Sequence, residues 1–139
     1  MQKRNPVTVA ACAALAGVLL WLPRPGAVLA DSVEKTLFLV DEGDTMVAVN
    51  TATGQFFRLK LSAKETVERR ITANAVAVLV TSQRFAGVGS WPSGWASLRR
   101  GAGEELVSAE AEDHSAVLVT SGRMLSFSGR TGSWSESRR

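Results

Sequence analysis

The chain of 139 residues has little of the material from which cross-linked or metal-dependent sites are built. It contains one cysteine, one histidine and no tyrosine, beside four tryptophans. A single cysteine excludes an intrachain disulfide framework and any multi-cysteine zinc or iron–sulfur site. The single histidine, His114, leaves too little for a histidine metal cage or a catalytic triad. We therefore expect no metal, no cofactor and no enzymatic activity.

The composition is that of one ordinary globular domain, because 45% of the residues are hydrophobic and 21% are charged. The formal net charge of +3 indicates a slightly basic protein. Its source is the N-terminal segment, since residues 1–30 contain three basic residues and no acidic ones. Removal of that segment leaves 13 basic and 13 acidic residues and a net charge of zero. The charge balance therefore gives no reason to expect a nucleic-acid partner.

Residues 1–30 have the layout of a secretory signal peptide. Lys3 and Arg4 give a positive start, the 16 residues Val7–Leu22 form an uncharged and largely apolar run, and Val28-Leu29-Ala30 places small or medium residues before Asp31. The apolar run is shorter than the roughly 20 residues that a spanning helix needs. We expect cleavage after Ala30, with an uncleaved anchor as the alternative, and a mature domain of residues 31–139.

The mature sequence contains an internal repeat with a period of 39 residues. Comparison of residues 77–100 with residues 116–139 gives ten identities in 24 positions without a gap. A weaker third copy lies upstream, where Phe38-Leu39-Val40 and Phe56 match by residue type. Such a period indicates a repeat architecture, here with units of about 31–65, 66–104 and 105–139.

Each unit shows the alternation and turn residues of short β-strands. An apolar first run is followed by a turn, a second short strand, a glycine-bearing loop and a strand that begins with an aromatic residue. The aromatic residues are Phe56, Trp95 and Trp134. A fourth strand opens the second and third units, and its counterpart in the first unit falls near residues 27–32. Residues 63–70 are the one candidate helix after residue 31.

Two segments carry a resemblance to a known family. Residues 116–123 form an apolar strand followed by a turn, and Thr131-Gly132-Ser133-Trp134 places a glycine turn before a tryptophan. Four short strands per ~40 residues with this turn resemble a blade of a β-propeller of the WD-repeat or quinoprotein-like kind, over residues 36–139. The resemblance implies an all-β fold of about three four-stranded antiparallel blades, as a partial propeller or one completed by oligomerisation. A β-trefoil is the alternative.

Five side chains are candidates for ligand binding. Arg84 and Arg123 hold the same position in two units, as do Trp95 and Trp134, while Trp91 lies in a loop beside a proline. A tryptophan face can stack on a sugar, and a guanidinium can donate hydrogen bonds to an acid or hydroxyl. The competing interpretation is that each repeated tryptophan fills the core between sheets and each repeated arginine closes a turn.

Other chemistry-bearing residues are read as turns and solvated surface. Asp113, His114 and Ser115 are consecutive and cannot form a hydrogen-bonded catalytic relay with one another. The acidic run Asp41–Asp44 lacks the spacing of a calcium loop. The glutamates from Glu104 to Glu112 are expected to be solvated.

Together these patterns predict an exported, non-enzymatic binding or assembly module of the cell envelope, in the periplasm or outside the cell. We expect a protein partner or self-association through strand edges, and membrane contact only through an uncleaved N-terminus. Two alternatives remain open. One is a small carbohydrate-binding lectin, and the other is an accessory subunit of a membrane complex that is anchored by its N-terminus.

Overall fold

A computed structural model describes residues 35–91 and 94–139, and these residues fold entirely into β-strands and turns. The predicted signal peptide and the predicted first strand near residues 27–32 lie outside the described residues. The strands form three antiparallel sheets. Their bounds are β1 Leu37–Asp41, β2 Thr45–Asn50 and β3 Gln55–Lys60 in the first sheet; β4 Val67–Thr72, β5 Val76–Thr81, β6 Arg84–Gly89 and β7 Ala96–Arg99 in the second; and β8 Leu106–Glu112, β9 Ser115–Thr120, β10 Arg123–Ser128 and β11 Ser133–Arg138 in the third.

Each sheet is a meander in which consecutive strands pair, in the orders β1-β2-β3, β4-β5-β6-β7 and β8-β9-β10-β11. The all-β class and the repeated antiparallel sheets predicted from the sequence are thus confirmed. The candidate helix at residues 63–70 is wrong, because a turn ends at Glu65 and β4 begins at Val67. The β-branched residues Thr66, Val67, Ile71 and Thr72 suit a pleated strand that pairs with β5 better than an isolated short helix. Among the described residues no sheet closes on itself.

The turns between strands are made by glycines and by side chains that bond to the backbone. Gly54 and Gly132, which are two repeats apart, have φ angles of 70° and 68°, in the left-handed region that glycine adopts without a steric penalty. The Asn50 side chain accepts a hydrogen bond from the Ala52 N–H at 3.0 Å and so fixes the turn after β2.

The sheets pack face to face, and the second sheet is covered on both sides. Its downstream face is formed by Val76, Val78, Val80 and Phe85 and packs against the third sheet. Its upstream face is formed by Ala77, Leu79, Ala86 and Val88 and packs against the first sheet. Every residue of β5 is consequently buried, whereas β9 in the third sheet alternates between buried and exposed residues.

The period of 39 residues is repeated in the contacts between sheets. The Thr36 N–H donates to the Asn74 carbonyl at 2.8 Å, and 39 residues later the Ala75 N–H donates to the Asp113 carbonyl at 2.9 Å. The second sheet therefore joins the third in the way that the first joins the second. No helix in the described part of the chain is long and apolar enough to cross a membrane.

Candidate functional site

A glutamate and an arginine meet at the same place in the second and third sheets. Arg84 Nε and Nη2 donate to the two carboxylate oxygens of Glu65, at 2.8 and 3.1 Å. Arg123 makes the same two bonds to Glu104, at 2.8 and 3.0 Å. A bidentate pair of this kind fixes both side chains in one orientation. Each glutamate comes from the linker that enters its sheet, so the pair holds that linker to the start of the third strand.

A threonine hydroxyl completes each of these clusters. Thr81 Oγ1 donates to Glu65 Oε1 at 2.7 Å and accepts from the Arg84 backbone N–H at 3.0 Å. Thr120 makes the equivalent bonds in the third sheet, at 2.6 and 3.1 Å. Each hydroxyl therefore links the carboxylate to the tight turn between the two central strands of the sheet.

The same arginines also join neighbouring sheets. Arg84 Nη2 donates to the Lys60 carbonyl at 2.7 Å, and Arg123 Nη2 donates to the Arg99 carbonyl at 2.8 Å. Both acceptors lie at the end of the last strand of the preceding sheet. These clusters, which we call the junctions, consequently fasten consecutive sheets to each other at one end.

The junctions hold both glutamates in the charged form. Hydrogen bonds from Arg123 lower the pKa of Glu104 from its ordinary 4.5 to about 2, against the opposing effect of burial, with help from Thr120 and a backbone N–H. Burial raises the pKa of Glu65, but hydrogen bonds from its arginine, a backbone N–H and its threonine outweigh this effect and lower it overall. The hydrogen bonds to Glu104 also raise the pKa of Arg123.

Sequence reasoning identified Arg84 and Arg123 but missed the glutamates that bind them. The expectation that Glu104 is solvated is wrong, because its side chain is only 8% exposed in the junction. The repeat does relate the two glutamates, since Glu65 and Glu104 are identical residues 39 positions apart. Extension of the self-comparison upstream of residue 77 would have shown them. Binding of an external ligand by Arg84 and Arg123 stays a prediction, and their donors Nε and Nη2 are engaged within the chain.

The three predicted tryptophans lie in two different environments. The indole N–H groups of Trp95 and Trp134 donate to the carbonyls of Phe57 and Ala96 in the preceding sheets, each at 2.9 Å. Trp91 is different, because this residue is 61% exposed. Its ring meets the edge of His114 at 5.0 Å between centroids. Stacking on a carbohydrate stays a prediction, and Trp91 is the tryptophan that offers an exposed ring for it.

The downstream face of the third sheet is polar where the same face of the second sheet is apolar. Five apolar residues that pack in the interface between the second and third sheets have exposed polar counterparts 39 residues later. The replacements are Ile71 by Glu110, Ala73 by Glu112, Val76 by Ser115, Ala96 by Ser135 and Leu98 by Ser137. Val117 and Met124 are the exposed large apolar side chains on this face. A face of this composition is suited to water, like the outer face of a terminal repeat in a stacked array.

The upstream face of the first sheet has the opposite character. Its residues Phe38, Val40 and Phe56 correspond to Ala77, Leu79 and Trp95, which pack against a preceding sheet. In the first sheet these three residues are 44%, 45% and 64% exposed. None of the described strands covers them. Large apolar side chains grouped on an exposed surface are typical of an interaction site.

Asp113, Asp41 and Glu42 have structural partners, whereas the buried Nδ1 of His114 has none among the described residues. Asp113 has a φ of 42° in the turn between β8 and β9 and accepts a hydrogen bond from the Asn74 side chain at 2.8 Å. Asp41 and Glu42 form exposed ion pairs with Arg70 and Arg58. In residues 35–91 and 94–139 no group of three or more potential ligands is arranged to hold a metal ion.

No protein-family model matches this chain, and no curated protein shows significant similarity to it. The site is therefore described by its own geometry. Two features stand out as candidates for function: the apolar upstream face of the first sheet and the arginine-rich end of the second and third sheets.

Proposed function

We propose that this protein is an exported, non-enzymatic assembly module that docks a β-sheet of a partner protein onto the upstream face of its first sheet. The observation that carries the proposal is the difference between the two terminal faces. The upstream face exposes Phe38, Val40 and Phe56, while the downstream face of the third sheet carries serine and glutamate at the corresponding interface positions.

The packing between the sheets of this chain indicates how a partner would bind to the first sheet. Two upstream faces, those of the second and third sheets, already receive the downstream face of another sheet. The upstream face of the first sheet has the same kind of side chains in the same positions. We therefore expect the partner to present a sheet face rich in valine, leucine and alanine, in the way that sheets pack in natural sandwiches and propellers.

The polar downstream face argues for a different protein as the partner. In a ring made of copies of this chain, the downstream face of one copy would cover the upstream face of the next. Such an interface would take up Glu110 and Glu112 together with Ser115, Ser135 and Ser137, and would leave these polar groups without partners, at a cost in free energy. We accordingly interpret the three sheets as part of a propeller-like stack that another protein extends at the first sheet, in preference to a trefoil.

The double variant Phe38→Ser/Phe56→Ser tests this proposal. We expect native mass spectrometry of the protein purified from its producing cells to show a complex with a second, different protein. The double variant should lose that complex because it removes the largest apolar contacts, whereas its thermal stability should change little because both side chains are exposed.

The matched control is Val117→Ser/Met124→Ser, which removes two exposed apolar side chains from the opposite face of the stack. It should leave the complex intact. A mass of twice this chain would identify a second copy as the occupant and contradict the proposed partner. A complex that survives equally in both variants would contradict docking on the upstream face.

A further inference from the structure

One end of the second and third sheets surrounds an open depression of about 1270 Å³. It is lined by the turns that begin β6 and β10, by the linkers that enter the two sheets, and by the ends of β7 and β11. Five arginines and two glutamates are among its lining residues, which gives these side chains a net charge of +3. The arginines are Arg84, Arg99, Arg100, Arg123 and Arg138.

Three of the five arginines are neutralised within the protein. Arg84 and Arg123 bind Glu65 and Glu104 in the junctions. Arg100 is only 11% exposed and pairs with Glu68, which lies outside the lining, at 2.6 Å. A further carboxylate outside the lining, Glu136, binds Arg123. Glu105, in the linker that enters the third sheet, is a further exposed carboxylate at this end.

Arg99 and Arg138 are left as exposed cations. They are equivalent residues, 39 positions apart, and both lie at the end of the last strand of their sheet. Neither forms a salt bridge in the part of the chain that the structure describes. Their guanidinium groups therefore keep their hydrogen-bond donors for a ligand.

The strand register places each exposed arginine beside a second arginine. Arg99 is paired with Arg84 across β6 and β7, and Arg138 is paired with Arg123 across β10 and β11. Glu65 and Glu104 compensate the charges of Arg84 and Arg123, so the charges that remain for an anion at these strand ends are those of Arg99 and Arg138. Serine hydroxyls in the lining, among them Ser82 and Ser121, add further hydrogen-bonding capacity.

We propose that this depression binds an anionic ligand that carries two or more phosphate or carboxylate groups, with Arg99 and Arg138 as its direct contacts. Guanidinium groups bind both kinds of oxyanion through paired N–H donors. Arg123 acts as a positioning residue, because its Nη2 donates to the Arg99 carbonyl and so holds the end of β7 on which that contact lies. This site is distinct from the docking face, which lies on the first sheet.

The test is calorimetric titration of the purified protein with inorganic tripolyphosphate and, separately, with citrate at low ionic strength, where screening is weak. We expect the double variant Arg99→Ala/Arg138→Ala to bind at least about tenfold more weakly than the unchanged protein, as the loss of charge-assisted hydrogen bonds implies. The variant should fold, because the junction uses the backbone carbonyl of Arg99 and not its side chain.

The control Arg58→Ala/Arg69→Ala removes the same charge from two exposed residues that do not line the depression. It should change the affinity by less than about twofold. Binding of tripolyphosphate alone or of citrate alone would support the site and identify the preferred oxyanion. Absence of binding with both probes, or equal weakening in both double variants, would overturn the proposal.

Discussion

Replacement of Gly89 by alanine is expected to lower the free energy of unfolding by about 3 kcal/mol or more. A methyl group built at Gly89 would lie 2.0 Å from the carbonyl oxygen of Gly129 in the third sheet. The obstacle is backbone, so no side-chain rotation can relieve the contact. The two sheets would have to separate and lose part of the packing around Phe127. Urea denaturation monitored by tryptophan fluorescence measures the change.

Gly122→Ala is the matched control for this variant. A methyl group at Gly122 meets nothing within 4 Å, and the equivalent position in the second sheet is Gln83. Its effect on stability should stay within about 0.5 kcal/mol. Equal unfolding midpoints for the two variants would show that the second and third sheets do not approach each other as closely as described.

Glu104→Ala is expected to cost about 3 kcal/mol of unfolding free energy. The Arg123 side chain is 19% exposed and would lose the carboxylate that accepts its two paired hydrogen bonds. The exposed Glu136 still pairs with Arg123 Nη1, but the largely buried Nε would lose its carboxylate acceptor, and removal of one partner from such a pair is strongly destabilising. The stability curve in urea tests this value.

Glu42→Ala is the control, because Glu42 and Arg58 form an ion pair whose side chains are 46% and 60% exposed. Such a pair contributes at most about 1 kcal/mol.

The dependence of unfolding free energy on pH tests the junction of the third sheet in a second way. The folded pKa of Glu104, about 2, lies below its ordinary 4.5, so its stabilisation is complete above pH 4.5 and is lost as the pH falls towards 2. Glu104→Gln should flatten the loss of stability in this range, and an unchanged pH profile would contradict the junction.

The sequence was sufficient to predict the repeat, the all-β class and the positions of most strands. The strands are indicated by local patterns, such as the apolar run Val76–Val80 and the glycine turns before Trp95 and Trp134. Because these patterns recur with a period of 39 residues, each unit supports the strand assignment of the others. The repeat is also compatible with Trp95 and Trp134 as core residues between sheets, and the hydrogen bonds from their indole N–H groups to the preceding sheets agree with this interpretation.

The two surfaces proposed to bind partners could not be predicted in the same way, because they depend on which face of each sheet another sheet covers. Leu98 in the second unit corresponds to Ser137 in the third, and in the sequence alone this difference has no evident meaning. The strand register shows that both residues lie on the downstream face of their sheet. The exposed pair Arg99 and Arg138 likewise became distinct only when Glu65 and Glu104 were seen to neutralise their neighbours. These assignments require contacts between residues far apart in the chain.

The most direct test of the account is site-specific photo-crosslinking in the producing cells, with benzoylphenylalanine placed at position 56 or at position 124. Both positions are exposed and apolar, and they lie on the two opposite terminal faces of the stack. The account predicts that position 56 crosslinks to an apolar residue on a β-sheet of a second protein, and that position 124 gives no such product. Crosslinks from position 56 that stay within this chain, or equal yields of the same product from both positions, would contradict it.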